Sequence, residues 1–501
     1  MKRGKRFLMN GLLLAGTTVF LRGTGLIFNV YITQKIGAEG MGLFGLIMSV
    51  YMLATTVASS GGGLAATRLV TEEQARGRYG GTQKAMHVCM LYCLFFGVVA
   101  SFCLFIFAPQ IGQYWLSDER TIGSLRCLSV SLPFISLSGA MNGYFMAVRR
   151  VIKSASAQIF ELLVKILATV LTLRFFGHRG IEFACMAVVC GGSVAEIASF
   201  CYLFVLYRWE QRTPCDALGS RTPFVRRLLG FAIPIAISSY FRSGLVTLEH
   251  VLVPAGLKRY GADRAASLSQ YGIVHGMVMP LLLFPASVLG AFAGLLVPEM
   301  TEFQTKGHAD RIRRVASKVI QTSLLFSVGI SGVFLIFGHE LGQGIYKSGD
   351  AGLFICFLAP LTVVMYLDGV VDAMLKGLNQ QVYSMRYNIL DSAVSVALVY
   401  TVLPRYGVNG YIAIIFITEI LNALLSIRRL RRVTDFQLSF VRGFVLPCCA
   451  IGLACVVTKG IFNGAALSAQ GLYGAIFCCA VLYLLFLGAL GLYRQTEKKE
   501  L

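Results

Sequence analysis

Along the chain, apolar residues run in stretches of about twenty or more, each broken by a short polar, basic or glycine-rich interruption. That length is what an α-helix needs to cross a hydrocarbon core of about 30 Å. The pattern predicts fourteen spans, roughly 10–32, 41–60, 84–107, 121–147, 152–175, 182–207, 228–254, 270–298, 317–337, 352–375, 383–403, 408–427, 439–458 and 471–493. Composition agrees: 56% of the 501 residues are hydrophobic and 14% are charged, against about 25% charged in a soluble protein. The basic start MKRGKRF is followed by no small-residue cleavage site, so it reads as the flank of a retained first span.

The net charge of +21 is explained by its placement. Of the 45 Lys and Arg, 31 fall in segments 1–9, 61–84, 148–153, 208–227, 299–318, 376–386, 428–442 and 494–501, and 10 fall in the alternate loops. A threefold bias places the rich side, with both termini, in the cytoplasm. These cations orient the chain and meet anionic headgroups, so nucleic acid is not an expected partner. The 14 cysteines show neither CxxC nor a Cys/His ligand set. They read as small apolar residues, with Cys215 in a cytoplasmic loop. No GxxxxGK[ST], GxSxG or HExxH is present.

Two halves resemble each other. LRGTGL (21–26) returns as FRSGL (241–245), and GLAATRLVTEEQARG (63–77) returns as GLLVPEMTEFQTKG (294–307). Six spans in each half give both the same orientation, a parallel repeat about the membrane normal. The expected division is an N-lobe over 1–215, a C-lobe over 216–432, and two further spans with a tail over 433–501. Pro133, Pro234, Pro280, Pro285 and Pro360 fall within spans and mark kinks. The segments 64–84 and 299–318 read as basic amphipathic helices on the cytoplasmic surface.

Charged residues within spans carry the chemistry. Arg22 lies about a dozen residues into the first span, roughly 18 Å deep, where a cation costs about 3 kcal/mol. Arg242 holds the equivalent place in the second half. A two-fold arrangement brings both toward a central cavity, where guanidinium groups bind phosphate bidentately. The alternative is that a neighbouring acid neutralises each. Glu249, two turns beyond Arg242, Asp368 and Asp372 at i, i+4, Asp391 and Glu419 gather in the second half. They suit a cation or proton site for ion coupling, or serve as counter-charges. Asn388 and Thr418 offer neutral oxygens. Glu161 and Lys165 are spaced as a structural ion pair, Arg126 snorkels, Glu196 has no evident partner, and His250 and His275 are packing residues. GAMNGYF and SSGGGLA permit close helix packing.

FLRGTGLIFNVYITQKIGAEGMGLFGLIMSVY, the GLAATRLVTEE span end and YGIVHGMVMPLLLFPASVLGAFAGLLVPEMTEF resemble the polysaccharide flippases of the MOP superfamily, nearest the stage V sporulation protein B-like branch, with lipid II flippases as relatives. The resemblance implies an all-α membrane protein of about fourteen helices, two six-helix lobes in a V plus two C-terminal helices that cradle a lipid tail. It implies alternating access and export of an undecaprenyl-pyrophosphate-linked saccharide. Arg22 matches a cavity arginine of the lipid II flippases, and a sodium site in their second lobe makes Glu249 and Asp391 the best counterparts. Phe28 stands near a second arginine of that group, and Pro280 and Leu283 stand near an Arg and a Glu, so recognition here departs from theirs.

The resulting expectation is a multi-pass cell-membrane flippase. It is not an enzyme, needs no cofactor, works as a monomer, and has Na+ or H+ coupling as an open element. A multidrug cation exporter of the same superfamily is the nearest rival, but it wants an acid deep in the first half, where span 1 offers Arg22. A membrane glycosyltransferase wants a sizeable outer loop, which is absent from this pattern. A non-transporting scaffold for cell-wall assembly is the third alternative.

Overall fold

The computed structural model describes residues 2–76, 79–210, 224–437, 439, 441–462 and 469–491. The expected boundary at 215/216, Cys215 and the basic tail 494–501 lie outside the described residues. Nearly every described residue is helical and none is in a strand, the arrangement that satisfies backbone groups within a membrane.

The helices are α1 (Lys2–Ser59), α2 (Gly62–Ala75), α3 (Tyr79–Gln110), α4 (Ile122–Ser129), α5 (Leu132–Ala147), α6 (Val151–Phe176), α7 (Ile181–Glu210), α8 (Phe224–Tyr260) and α9 (Arg264–Tyr271). They continue as α10 (Met279–Leu283), α11 (Ala286–Thr305), α12 (Ala309–Tyr346), α13 (Gly349–Leu358), α14 (Leu361–Gly377), α15 (Gln381–Thr401), α16 (Leu403–Thr434), α17 (Leu446–Ile461) and α18 (Ala469–Ala489). Among the described residues ten helices are long and apolar enough to cross a membrane, or up to twelve if each bent pair is one span. That count falls short of fourteen. The 60-residue stretch Gly16–Ala75 is counted as one candidate, although α1 breaks inside it at Gly37 (φ 72°). Helices α6 and α15 are long enough to cross but carry Glu161 with Lys165 and Arg386 with Asp391.

The chain forms two compact units, each assembled from separated segments. The first holds 1–17, 35–255 and 263–269; the second holds 18–34, 256–262 and 270–501. Residues 18–34 therefore group with the second unit and most of α8 with the first, which a division in strict sequence order does not contain. The turns Gly37-Ala38-Glu39 and Gly261-Ala262-Asp263 lie where the chain passes between groupings. Gly37 and Gly261 both have positive φ (72° and 114°), a conformation open to glycine at no steric cost.

In the first unit, α2, α3, α5 and α7 enclose a core that includes Ala65, Leu69, Met86, Phe145 and Leu203, closed by Phe224, Leu228 and Ala232 of α8. Helix α2, the first part of the basic segment 64–84, is thus not the surface helix that the segment suggests. It continues span 2 after a break at Ser60 and Gly61 (φ 41° and 72°), and buries Gly62, Ala65, Ala66, Leu69, Val70 and Glu73. In the second unit, Met300 of α11, Ile312, Ala316 and Ile320 of α12, Val370 and Met374 of α14 and Leu430 of α16 form the matching core. The segment 299–318 is likewise an end of α11 and a start of α12 rather than one surface helix. Large apolar side chains stay exposed along α3, including Phe95, Phe102 and Phe105, as a lipid-facing helix requires.

Four of the five span prolines sit at helix starts or breaks. Pro133 follows the 46° bend between α4 and α5, and Pro360 sits at the 58° bend between α13 and α14. Pro280 is in the first turn of α10 and Pro285 precedes α11. Pro234 lies inside the continuous α8. A missing N–H is harmless at a helix start, which explains the preference.

The repeat is visible inside each unit. Thr67 donates to the carbonyls of Gly63 and Gly143, both at 3.0 Å; Thr301 donates to those of Val297 (2.9 Å) and Gly377 (2.8 Å). Positive φ recurs at Ser117 and Lys347 and again at Arg149 and Asn379. Both halves therefore build span 2 against span 4 by one local design, and GAMNGYF and SSGGGLA do serve close packing.

Candidate functional site

In the second unit, α14 presents Asp368 and Asp372 one turn apart. Asn422 of α16 donates to Asp368 Oδ2 at 3.1 Å, and Ser426, one turn further along α16, is within reach of the same carboxylate. Ser384 of α15 donates to Asp372, and the Lys376 ammonium pairs with it at 2.6 Å. Asn388 donates to the Ser384 carbonyl at 3.0 Å. Asp391 lies two turns beyond Ser384 on α15 and is half-buried. A polar seam thus runs through three packed helices, α14, α15 and α16.

The two aspartates differ. Asp372 is already charge-compensated by Lys376, an i, i+4 spacing that the sequence displays. Asp368 Oδ1 and Asn422 Oδ1 are buried and receive no hydrogen bond among the described residues. Oxygens of this kind suit a hard monovalent cation or a proton on the carboxylate. Among the described residues no group of three or more His, Cys, Asp or Glu has a metal-binding arrangement, so a multi-carboxylate metal cage is not what the seam offers. Thr418 is occupied with the carbonyl of Ile414 at 3.0 Å.

Arg22 belongs to the second unit, on the segment 18–34. That segment is held within its unit by Gly23, which lies against the Phe284 ring, and by Gln34, which donates to the Ile345 carbonyl at 3.2 Å. Arg242 belongs to the first unit, at the middle of α8. It lies in a row of polar contacts between α8 and the α1–α2 stretch. Thr247 donates to the Ser49 carbonyl (3.0 Å), Thr56 to Ser243 Oγ (3.2 Å), and Tyr240 shares a hydrogen bond with Ser60. Both guanidinium-bearing residues are exposed. Among the described residues neither Arg22 nor Arg242 has an ion pair or hydrogen bond. The neutralised-cation alternative is not what the described residues contain. Glu249, half-buried on α8, falls in the first unit with Arg242, and Asp391 falls in the second.

Residues 7–304 match the model of the family described as polysaccharide biosynthesis protein. The chain belongs to this family. Among its relatives, stage V sporulation protein B of Bacillus subtilis (strain 168) is 26% identical over 99% of this chain and 97% of its own length. Lipid II flippase MurJ of the same organism is 24% identical over 84% of this chain and 83% of its own length. Among solved structures, lipid II flippase MurJ in an inward closed conformation superposes with a TM-score of 0.71 at 12% identity, covering 96% of this chain and 99% of that one. An inward-facing multidrug resistance MATE family transporter of the MOP superfamily gives 0.62 at 15% identity, covering 84% and 96%. These superpositions show that the chain shares the fold of both proteins.

Three sets of contacts in this family member add to the reading by spacing. Glu161 has no ion pair with Lys165 among the described residues; it accepts from Ser199 of α7 at 2.9 Å. Glu196, also on α7, lies within electrostatic reach of Glu161 and Lys165, so three charges share one region between α6 and α7. Arg126 stacks over the Phe105 ring at 5.5 Å, and His275 packs with Tyr271 and Tyr411 at 5.0 and 5.9 Å. The third is an ion network on the loop before α4. Arg120 pairs with Asp118 and Glu39, each at 2.9 Å, and Arg264 pairs with Asp118 at 3.1 Å. Asp118 is 3% exposed. Burial works against its ionisation, but the Arg120 hydrogen bonds and charge, with the Arg264 charge, outweigh it and hold the carboxyl below the usual range.

Proposed function

We propose that this protein is a flippase that moves an undecaprenyl-pyrophosphate-linked saccharide, a peptidoglycan precursor or related glycan, across the cell membrane by alternating access. Membership of the polysaccharide biosynthesis family supports this reading. The carrying observation is the pair of mid-span arginines that the described residues leave without an acid. Arg22 and Arg242 bind the substrate phosphates, since a guanidinium keeps its charge and matches phosphate oxygens. The polyprenyl tail stays in lipid, no covalent step is required, and the protein works as a monomer with both termini in the cytoplasm. Asp368, with Asp391 and Glu249 as further candidates, takes Na+ or H+. Such binding shifts the balance of states only by its different affinity for each.

The test is reconstitution in liposomes with fluorescent undecaprenyl-pyrophosphate-linked substrates, in sodium against potassium. Wild-type protein is expected to move the label across the bilayer. Arg22→Ala and Arg242→Ala are each expected to lower the rate roughly tenfold or more, the loss of a charge-assisted pair. Full activity of both variants would remove the phosphate-binding role. Transport of cationic dyes in place of the lipid would favour a multidrug exporter, and no transport of either would favour the scaffold.

A further inference from the structure

The cysteines are not all passive. Cys127 on α4 and Cys190 on α7 have their sulfurs 2.9 Å apart. The helices meet closely here because small residues line the contact. Gly123 of α4 faces Met186 of α7, a Cβ there standing 3.3 Å from its sulfur, and Gly191, next to Cys190, packs α7 against Thr169 of α6 with no room for a Cβ. Ser193, one turn from Cys190, donates to the Cys127 carbonyl at 3.5 Å. Both cysteines are half-buried, so small lipid-soluble reagents reach them. The other close pair, Cys455 and Cys479, is fully buried and wider at 3.3 Å.

We propose that Cys127 and Cys190 are a dithiol that closes to a disulfide and staples α4 to α7 within the first unit. An S–S bond of about 2.05 Å needs the sulfurs to approach by about 0.9 Å, within the reach of a small side-chain rotation. The oxidant is a lipid-soluble two-electron acceptor of the quinone or azo class. The two S–H bonds break, one S–S bond forms, and two electrons and two protons pass to the acceptor, giving a quinol or a hydrazine. A thiol-rich surrounding reverses it by exchange.

The experiment uses the full-length protein in native membranes, treated with the azo oxidant diamide in the presence of cysteamine, alkylated, digested and analysed by mass spectrometry without reduction. Exposed Cys103 is expected to carry cysteamine, which shows that the oxidant entered. Peptides bearing Cys127 and Cys190 are expected to be joined, and alkylation of Cys127 to fall roughly tenfold. In Cys190→Ala, Cys127 is expected to take cysteamine instead. Oxidised wild type is expected to melt above the reduced form, a difference absent from the variant. Recovery of Cys127 and Cys190 as separate thiols or separate cysteamine adducts, with Cys103 modified, would overturn the proposal.

Discussion

The hydroxyl of Thr67 donates to the carbonyl of Gly143 at 3.0 Å, and Gly143 lies so close to α2 that a Cβ there would stand 2.2 Å from the Gly63 oxygen. The same three-residue contact returns in the second unit as Thr301, Gly377 and Val297, with the Cβ distance relaxed to 2.8 Å. Gly143→Ala is therefore expected to destabilise by about 2–3 kcal/mol through overpacking, and Gly377→Ala by less. Gly25→Ala, with nothing within 4 Å, is the control. Thermal melting in detergent checks the order; equal melting of Gly143→Ala and wild type would mean that the close approach is absent.

Arg227 at the start of α8 reaches Glu73 at 3.0 Å and also pairs with Glu72. The Glu73 side chain is 0% exposed, and its other near cation, Arg76, is at 3.4 Å. Removing Arg227 leaves a buried carboxylate poorly compensated, at a cost of about 2 kcal/mol, below the range for fully buried pairs because Arg227 itself meets solvent. Arg68→Ala, which breaks an exposed pair with Glu72 and the guanidinium contact over the Phe231 ring at 4.4 Å, is expected to cost less, about 1 kcal/mol. Chemical or thermal unfolding of the two variants side by side makes the comparison.

The Asp118 network predicts an acid limb of stability. The folded carboxyl titrates below its unfolded value of about 3.9, so its stabilisation is fully present above that value. It disappears as pH falls through the lower, folded pKa. Asp118→Asn is expected to melt below wild type at neutral pH, with the gap closing on acidification. A gap that stays constant between pH 7 and pH 3 would show that Asp118 is not the titrating group.

If sodium stimulates transport, Asp368→Asn is expected to reduce that stimulation roughly tenfold, the size of a typical coupling free energy. Asp372→Asn, which loses an ion pair exposed on the Lys376 side, is expected to retain most of it. Transport rates in sodium and potassium distinguish the variants. Equal stimulation in Asp368→Asn and wild type would move the coupling role to Asp391 or Glu249.

Arg22 and Arg242 were legible in the chain because a cation inside an apolar run is a one-dimensional signal. The helical class and the repeat were legible for the same reason, since periodic apolar length and recurring GL…TE segments need no folding to be seen. The turn Gly37-Ala38-Glu39 and its counterpart Gly261-Ala262-Asp263 were equally present but are too short to stand out. The Lys376 partner of Asp372 was available from i, i+4 spacing. The Ser199 partner of Glu161 was not, because it comes from another helix.

Helix α2 illustrates the limit best. The amphipathic pattern of the segment 64–84 that contains it fits a headgroup surface as well as a protein interior, and only the closing of α3, α5 and α8 over Ala65, Leu69 and Glu73 decides between them. The chain by itself determined that this is a helical membrane protein of repeated halves with two mid-span arginines, because the hydrophobic effect reads length and charge locally. Tertiary structure decided which helices group together, which of Asp368 and Asp372 keeps an unbonded buried oxygen and which cysteines meet, because side chains distant in sequence become neighbours only once helices pack.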